Sequence, residues 1–407
     1  MRHNKSTSSQ SPDRGRPWRV GYAMSLATVI VAMVARAETR QAPRADSRLA
    51  EVQTAEANGR YDAALDLLYT LELEHPRTPA AVAGRAELAR LLALRGDLSS
   101  AILQAQALRD ESTHEAIRKK MLDFATLVAR RLRAKSPSSL YSASEPSIVR
   151  GLTDVDEPTG LTVLPDGALL LVDSGAKRLY RIAAGLDTAT RLLENEQTRA
   201  AAALADGTPI VGVKTGLVAI SGEMLLPKTG TWDNKPRRIH NIRSIAVNSR
   251  NDLFVVDGDY DKGLLRCEAG ATSCAPWVQS GALRAVKTGP SDFILTLDDK
   301  DGVRIYNDHA RLVATLSPMA GNLRLDDVAG IAMDSAYGIY RLDAKNRRVV
   351  VDAMRLAADG TFTADLLGIA AIPADDRGLK NPSALAVTAE GEVVVAERGT
   401  SRFLRLR

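Results

Sequence analysis

Two periodicities divide the chain. Residues 46–135 show no alternation of apolar and polar positions and are rich in Ala, Leu, Arg and Glu, which predicts helices. From residue 147 onward the period changes to two. A unit then recurs: an apolar strand, a turn containing Gly or Asp, a second apolar strand ending in an acid, another turn, and an Arg-bearing third strand. The copies are Pro158–Ile182, Ile242–Cys267, Ala282–Tyr306, Val328–Asp352 and Pro382–Leu406, with a degenerate one at Ala201–Ile220. The acids ending the second strands, Asp173, Asp257, Asp298, Asp343 and Glu397, lie 84, 41, 45 and 54 residues apart.

A period in the forties with three visible strands per unit predicts a β-propeller, here of six blades. The fold class expected is therefore α + β in separate domains, helical repeats followed by an all-β six-bladed propeller. The boundaries expected are a helical segment at 38–135, a Ser/Pro-rich linker at 136–146 and the propeller at 147–407. The last copy stops after its third strand, so Ser147–Leu152 is expected to supply the fourth and close the ring. The degenerate copy carries Val213 or Lys214 where the others have an acid, which predicts an irregular blade.

Pro158-x-Gly160-Leu161, Asp166-Gly167, and Asp173 followed by Arg178-Leu179 carry a resemblance to the NHL-repeat propellers. Asp343, Asn346, Arg348 and Val349 repeat that pattern, as do, more loosely, Pro382, Leu385, Glu397, Arg402 and Phe403. The resemblance implies architecture and no particular chemistry. Because the acids recur in blade after blade, they read as structural, with a cross-hairpin pair such as Asp173–Arg178 expected.

The helical segment repeats at an offset of 37: Gly59 aligns with Gly96, Tyr61 with Leu98, Ala64 with Ala101, Leu65 with Ile102 and Leu71 with Leu108. Gly59-x-Tyr61-x-x-Ala64-Leu65, with Leu68, Leu71 and Pro76, resembles the tetratricopeptide repeat. Two units and a terminal helix are few for a free-standing array, so this segment is expected to dock on its neighbour or on itself. The terminal helix carries Arg118, Lys119, Lys120, Arg130, Arg131, Arg133 and Lys135, which read as a solvated face rather than a site for an acidic partner.

Charge changes the picture at one end only. Residues 1–37 hold six basic residues and one acid, which accounts for the whole net charge of +5. A neutral body gives no reason to expect nucleic acid as a partner. The uncharged run Val20–Ala35, followed by the small-x-small triplet Ala35-Arg36-Ala37, has the layout of a signal peptide over 1–37. As a helix the run would span roughly 24 Å, short of a ~30 Å hydrocarbon core. An uncleaved anchor, the one route to a membrane, is the alternative. The expected location is the periplasm of a bacterium or its exterior. In that oxidising space Cys267 and Cys274, with six residues between them, are expected to form a disulfide, two free thiols being the alternative.

Candidate chemistry is sparse. The sheet region has only His240 and His309, too few for a His-rich zinc site, and no catalytic triad, Walker loop or dinucleotide fingerprint is present. No catalytic residue and no cofactor is assigned. Asp257-x-Asp259-x-Asp261, with Glu268 downstream, has part of a calcium-loop pattern, but Lys262 replaces the usual glycine, and an acidic hairpin turn explains it as well. Lys235, Arg237, Arg238, His240 and Arg243 cluster beside Trp232 ahead of a first strand, where a loop would reach a channel rim. Arg237, Arg238 and His240 are the candidate binding residues, a solvated loop being the other reading. The function expected is non-catalytic binding or scaffolding, with a protein, peptide or cell-envelope component held on the propeller rim and helical groove. A metal-dependent hydrolase or lyase acting in the channel is the alternative.

Overall fold

The computed structural model describes residues 26–407 apart from 135, 137, 139, 154, 195–197, 222–224, 226–228, 233–234, 261, 358 and 376–377, and the backbone alone of 26–41, 231 and 232. The proposed signal peptide therefore lies largely outside the described residues, and Asp261 wholly so. Among the described residues no helix is long and apolar enough to cross a membrane.

Five helices come first: α1 (Leu26–Ala57), α2 (Tyr61–Glu74), α3 (Pro79–Arg95), α4 (Leu98–Glu111) and α5 (Glu115–Arg133). Their ends follow local rules. The Thr78 hydroxyl accepts the Ala81 N–H, with Pro79 at the first helical position. Asp97 caps α4 through the Ser100 N–H. The 37-residue offset places Gly59 and Gly96 in equivalent turns, α1–α2 and α3–α4, with φ of 72° and 85°. Only glycine takes that conformation freely. Each turn is also capped by an arginine from the sheet domain: a Cβ on Gly59 would strike the Arg311 guanidinium, and one on Gly96 that of Arg355. Ala64 and Ala101, at matching positions, are fully buried and let neighbouring helices approach.

Six blades follow. The first is built from Pro158–Val163, Leu169–Asp173, Arg178–Ile182 and Ala189–Glu194; the second from Thr198–Ala203, Pro209–Val213 and Gly216–Val218. The third contains Ile242–Val247, Leu253–Asp257, Gly263–Cys267 and Ser273–Gln279; the fourth Leu283–Thr288, Ile294–Asp298, Val303–Tyr306 and Leu312–Leu316. The fifth has Val328–Met333, Gly338–Asp343, Arg348–Leu356 and Phe362–Ala371. The sixth has Pro382–Val387, Val393–Glu397 and Arg402–Leu406, with Ser147–Ile148 as its outer strand.

The innermost strands neighbour one another in cyclic order, the last against the first. Closure occurs where the repeat count requires it, Ser147 opposite Phe403 and Ile148 opposite Arg402. It also begins earlier than expected. Ser142 and Ser144 donate N–H groups to the Arg407 and Arg405 carbonyls, so part of the expected linker is paired into the ring. The second blade is irregular as expected, with three strands among the described residues.

The recurrent acids pin loops. Asp173 accepts the N–H groups of Asp156 and Glu157, and Glu397 those of Lys380 and Asn381, each time clamping the segment that leads into the blade's own first strand. The cross-hairpin pair forms at Asp343–Arg348, 2.8 Å. Arg178 stands opposite Asp173 in register, but its guanidinium reaches Glu194 and the Thr153 carbonyl. Cys267 and Cys274 form the expected disulfide, tying the third and fourth strands of the third blade.

The helices pack on the face formed by loops joining first to second strands. One continuous apolar core runs from Leu88, Leu91, Phe124 and Val128 into Phe293, Ile339 and Met354 of the fourth and fifth blades. Here α5 departs from the sequence reading of a solvated face. Arg131 is buried and donates to Asp334 and to the Ala336 carbonyl, Arg130 donates to the Gly391 carbonyl, and Lys119 reaches Glu390. Three of its cations dock the helix onto the sheet domain.

Candidate functional site: the central channel

The six innermost strands wall a channel in which small residues face one another. Their fifth positions read Thr162, Ala202, Ala246, Lys287, Ala332 and Ala386. Five of the six are small; Lys287 is the exception. Its Nζ spans the channel from the fourth blade to the first, donating to the Leu161 carbonyl at 2.8 Å and lying 3.4 Å from the Thr162 hydroxyl. The amine divides the channel into two cavities of about 390 and 230 Å³, both of which it lines. Protein surrounds the amine, and the residue as a whole is half-buried. Desolvation holds its pKa down at about 8, and no carboxylate opposes that shift.

The smaller cavity opens at the mouth away from the helices. Every innermost strand has a bulge after its first residue: the register shifts between 158 and 160, 198 and 200, 242 and 244, 283 and 285, 328 and 330, and 382 and 384. Bulges re-aim side chains. The bulged residues are Thr159, Arg199, Arg243, Arg284, Ala329 and Ser383. Three consecutive blades thus set an arginine at one depth of one mouth, and all three line its cavity. Arg284 is anchored by Asp301 and by the Asp298 and Val328 carbonyls. Arg199 and Arg243 are exposed and make no ion pair among the described residues.

The sequence candidates separate. Lys235–Arg238 is a strand, hairpinned with Thr229–Trp232, and this pair extends the third blade outward, Thr229–Trp232 running parallel to Ser273–Gln279. Arg237 and Arg238 are therefore on the blade's outer edge, not the channel rim. A proline and three cations on an exposed edge strand also blunt edge-to-edge pairing. His240 stays near the mouth, where its Nδ1 lies 2.7 Å from Asp259. The structure brings His240 together with Asp257 and Asp259, two of the calcium-loop acids, their ligand atoms within 4.8 Å of one another. Asp257 already accepts the His240 and Asp259 N–H groups, the same loop-clamping role as its counterparts in other blades. Burial holds its carboxyl above the ordinary range even so.

Sequence reasoning missed Arg199, Arg284 and Lys287. The signal was present: the aligned copies read Thr-Arg-Ala, Ile-Arg-Ser and Leu-Arg-Ala at their starts.

No family model matches the chain, and no curated protein matches it. Among solved structures, it is similar to a protein of unknown function from Bacteroides thetaiotaomicron, at 13% identity over 65% of this chain and 72% of that one, TM-score 0.44. It is also similar to virginiamycin B lyase from Staphylococcus aureus, at 11% identity over 65% and 99% of the two chains, TM-score 0.43. An auxiliary nutrient binding protein from Bacteroides thetaiotaomicron matches at 10% identity over 66% and 76%, TM-score 0.43. Likenesses this remote assign no function.

Proposed function

We propose that the chain is an exported binding protein, an NHL-like propeller with a tetratricopeptide-like helical segment docked on one face, and that it holds an acidic peptide segment at the opposite, arginine-bearing mouth. The observation that carries this reading is the placement of Arg199, Arg243 and Arg284 on consecutive inner-strand bulges. Arginine suits the role because its planar fork holds carboxylates in two-point contact. Among the described residues lining either half of the channel there is no Asp, Glu, His, Asn or Gln. A wall of small and apolar residues with cations at one mouth supports binding over metal-assisted hydrolysis in the channel. The disulfide is in keeping with export. His240 stands beside this mouth, and Arg237 and Arg238 extend its cationic character along the outer edge of the third blade.

The test is titration with a fluorescent oligoglutamate peptide. Saturable, salt-sensitive binding that Arg199→Ala with Arg243→Ala abolishes is expected; binding indifferent to that pair of substitutions sinks the reading. The hydrolase reading keeps one observation, the His240–Asp257–Asp259 cluster at the same mouth. Metal analysis of the dialysed protein tests it, since one tightly held divalent ion lost on His240→Ala would favour it.

A further inference from the structure

A cavity of about 770 Å³, separate from both halves of the channel, lies at the seam where helices meet sheet. Its helical wall carries Glu56 on α1, Tyr61 on α2, and Glu87 and Arg90 on α3. Its sheet wall carries Arg250, Asp292, Asp308, His309 and Tyr337 from loops of the third, fourth and fifth blades.

Most of these charges pair among the described residues, but Glu56 Oε1 and Arg90 Nε are each buried without a hydrogen bond. Arg90 is engaged by Glu87. Arg250 is engaged by Asp308 at 3.2 Å and Asp292 at 3.8 Å. Asp292 also accepts from Ser249, and Asp308 meets the His309 ring. Among the described residues Glu56 has no ion-pair partner, and its buried Oε1 accepts no hydrogen bond. Four carboxylates against two guanidiniums make the wall acidic when Glu56 is ionised. A buried acceptor left unmade is costly, and the group that would satisfy it is a cationic donor.

We propose that this seam cavity is a binding site for a small organic cation, a primary amine, whose ammonium group sits on Glu56. Tyr61 and Tyr337 line the same space, and aromatic faces attract ammonium groups. The occupant would touch both domains at once, so the site exists only when the helices are docked.

Burial raises the Glu56 pKa to about 7; Arg90 opposes the shift and Asp308 adds to it. Farther out, Arg311 faces Tyr61, and Lys120 on α5 lies near Arg90, itself held below its ordinary value by burial and by that guanidinium. An ammonium ion on Glu56 requires the carboxylate, so binding near pH 7 should expel about half a proton per ligand.

The experiment is calorimetric titration of the full protein with 1,4-diaminobutane near pH 7, in two buffers of different protonation enthalpy. Expected are saturable one-to-one binding and fractional proton release. Glu56→Gln should weaken binding by about tenfold or more and end the release. Arg90→Gln, which liberates Glu87, should tighten binding, and it tests the site even if the Glu56 variant fails to fold. Absence of saturable diamine binding overturns the proposal. So does binding without proton release, or weaker binding in Arg90→Gln, which would mark an anion site.

Discussion

Arg131 on the last helix and Asp334 in the fifth blade, 203 residues apart in sequence, form a buried ion pair at the junction of the two domains. Their side chains are only 5% and 1% exposed. Asp334 spends one oxygen on the N–H groups of Ala336 and Gly338, closing its hairpin turn, and offers the other to Arg131 and the Tyr340 hydroxyl. Tyr340 in turn meets Tyr141, which donates to the Gly391 carbonyl in the sixth blade. Helix, linker and two blades share one polar network. Arg131→Met strands a buried carboxylate and should cost about 3–5 kcal/mol in urea unfolding. Adding Asp334→Asn removes the stranded charge and should restore much of that loss. Equal stability of Arg131→Met and the parent would show that the pair does not hold the junction.

Lys287 makes the opposite prediction. Its folded pKa of about 8 lies below the ordinary value of 10.5, so the folded state resists protonation more than the unfolded chain does. Below pH 8 both states carry the proton, and the fold bears the full cost of a desolvated ammonium. Between pH 8 and 10.5 the folded state sheds its proton first, and that cost fades. Lys287→Met should therefore stabilise the protein by about 2–3 kcal/mol at pH 7 and by little above pH 10.5. Thermal melts across that range check it. A gain independent of pH would mean that packing, not charge, sets the difference.

The propeller was legible because its signals are local and repeated. Acid-ended strands, turn glycines and the missing last strand each recur or follow from counting. Distant pairing was not legible. Lys235–Arg238 reads as a loop because the hairpin it forms with Thr229–Trp232 is held on the blade by parallel pairing of Thr229 and Gly230 with residues 273 and 274, which leaves no local pattern. Arg131 looks like any other cation of a basic helix until Asp334 is placed beside it. Arg199, Arg243 and Arg284 lie between: their shared position stands in the aligned copies, but only the bulge shows that they gather at one mouth. The seam cavity depends wholly on how two domains dock, and nothing short-range in Glu56 or Asp308 foretells it.

Glu56 gives the mirror image of Lys287. Its folded pKa of about 7 lies above 4.5, so the folded state holds the proton longer. Stability should fall as pH rises from 4.5 to 7 on this group's account, and stay lower above. Glu56→Gln, which keeps the shape and removes the charge, should stabilise the ligand-free protein by up to about 3 kcal/mol above pH 7 and by little below pH 4.5. Denaturant titrations at pH 4 and pH 8 separate the cases. A Gln variant less stable than the parent at pH 8 would show that the carboxylate is better satisfied than its surroundings indicate.

The disulfide offers a test confined to one blade. Cys267 ends the third strand of the third blade and Cys274 lies in the fourth, both buried. The fourth strand also carries the added hairpin, Gly230 pairing with Cys274 and Thr229 with Ser273. Opening the bond should loosen the outer edge of that blade while the channel wall, three strands inward, stays ordered. The closed loop is short, so replacing both cysteines by alanine should cost about 2 kcal/mol. Amide exchange should quicken over 229–232 and 273–279 and remain slow over Ile242–Val247. If the inner strand loosens equally, the blade unfolds as one unit and the edge hairpin is no separate element. Oligoglutamate binding at the arginine mouth should survive, because Arg243 stands on the strand farthest from the cross-link.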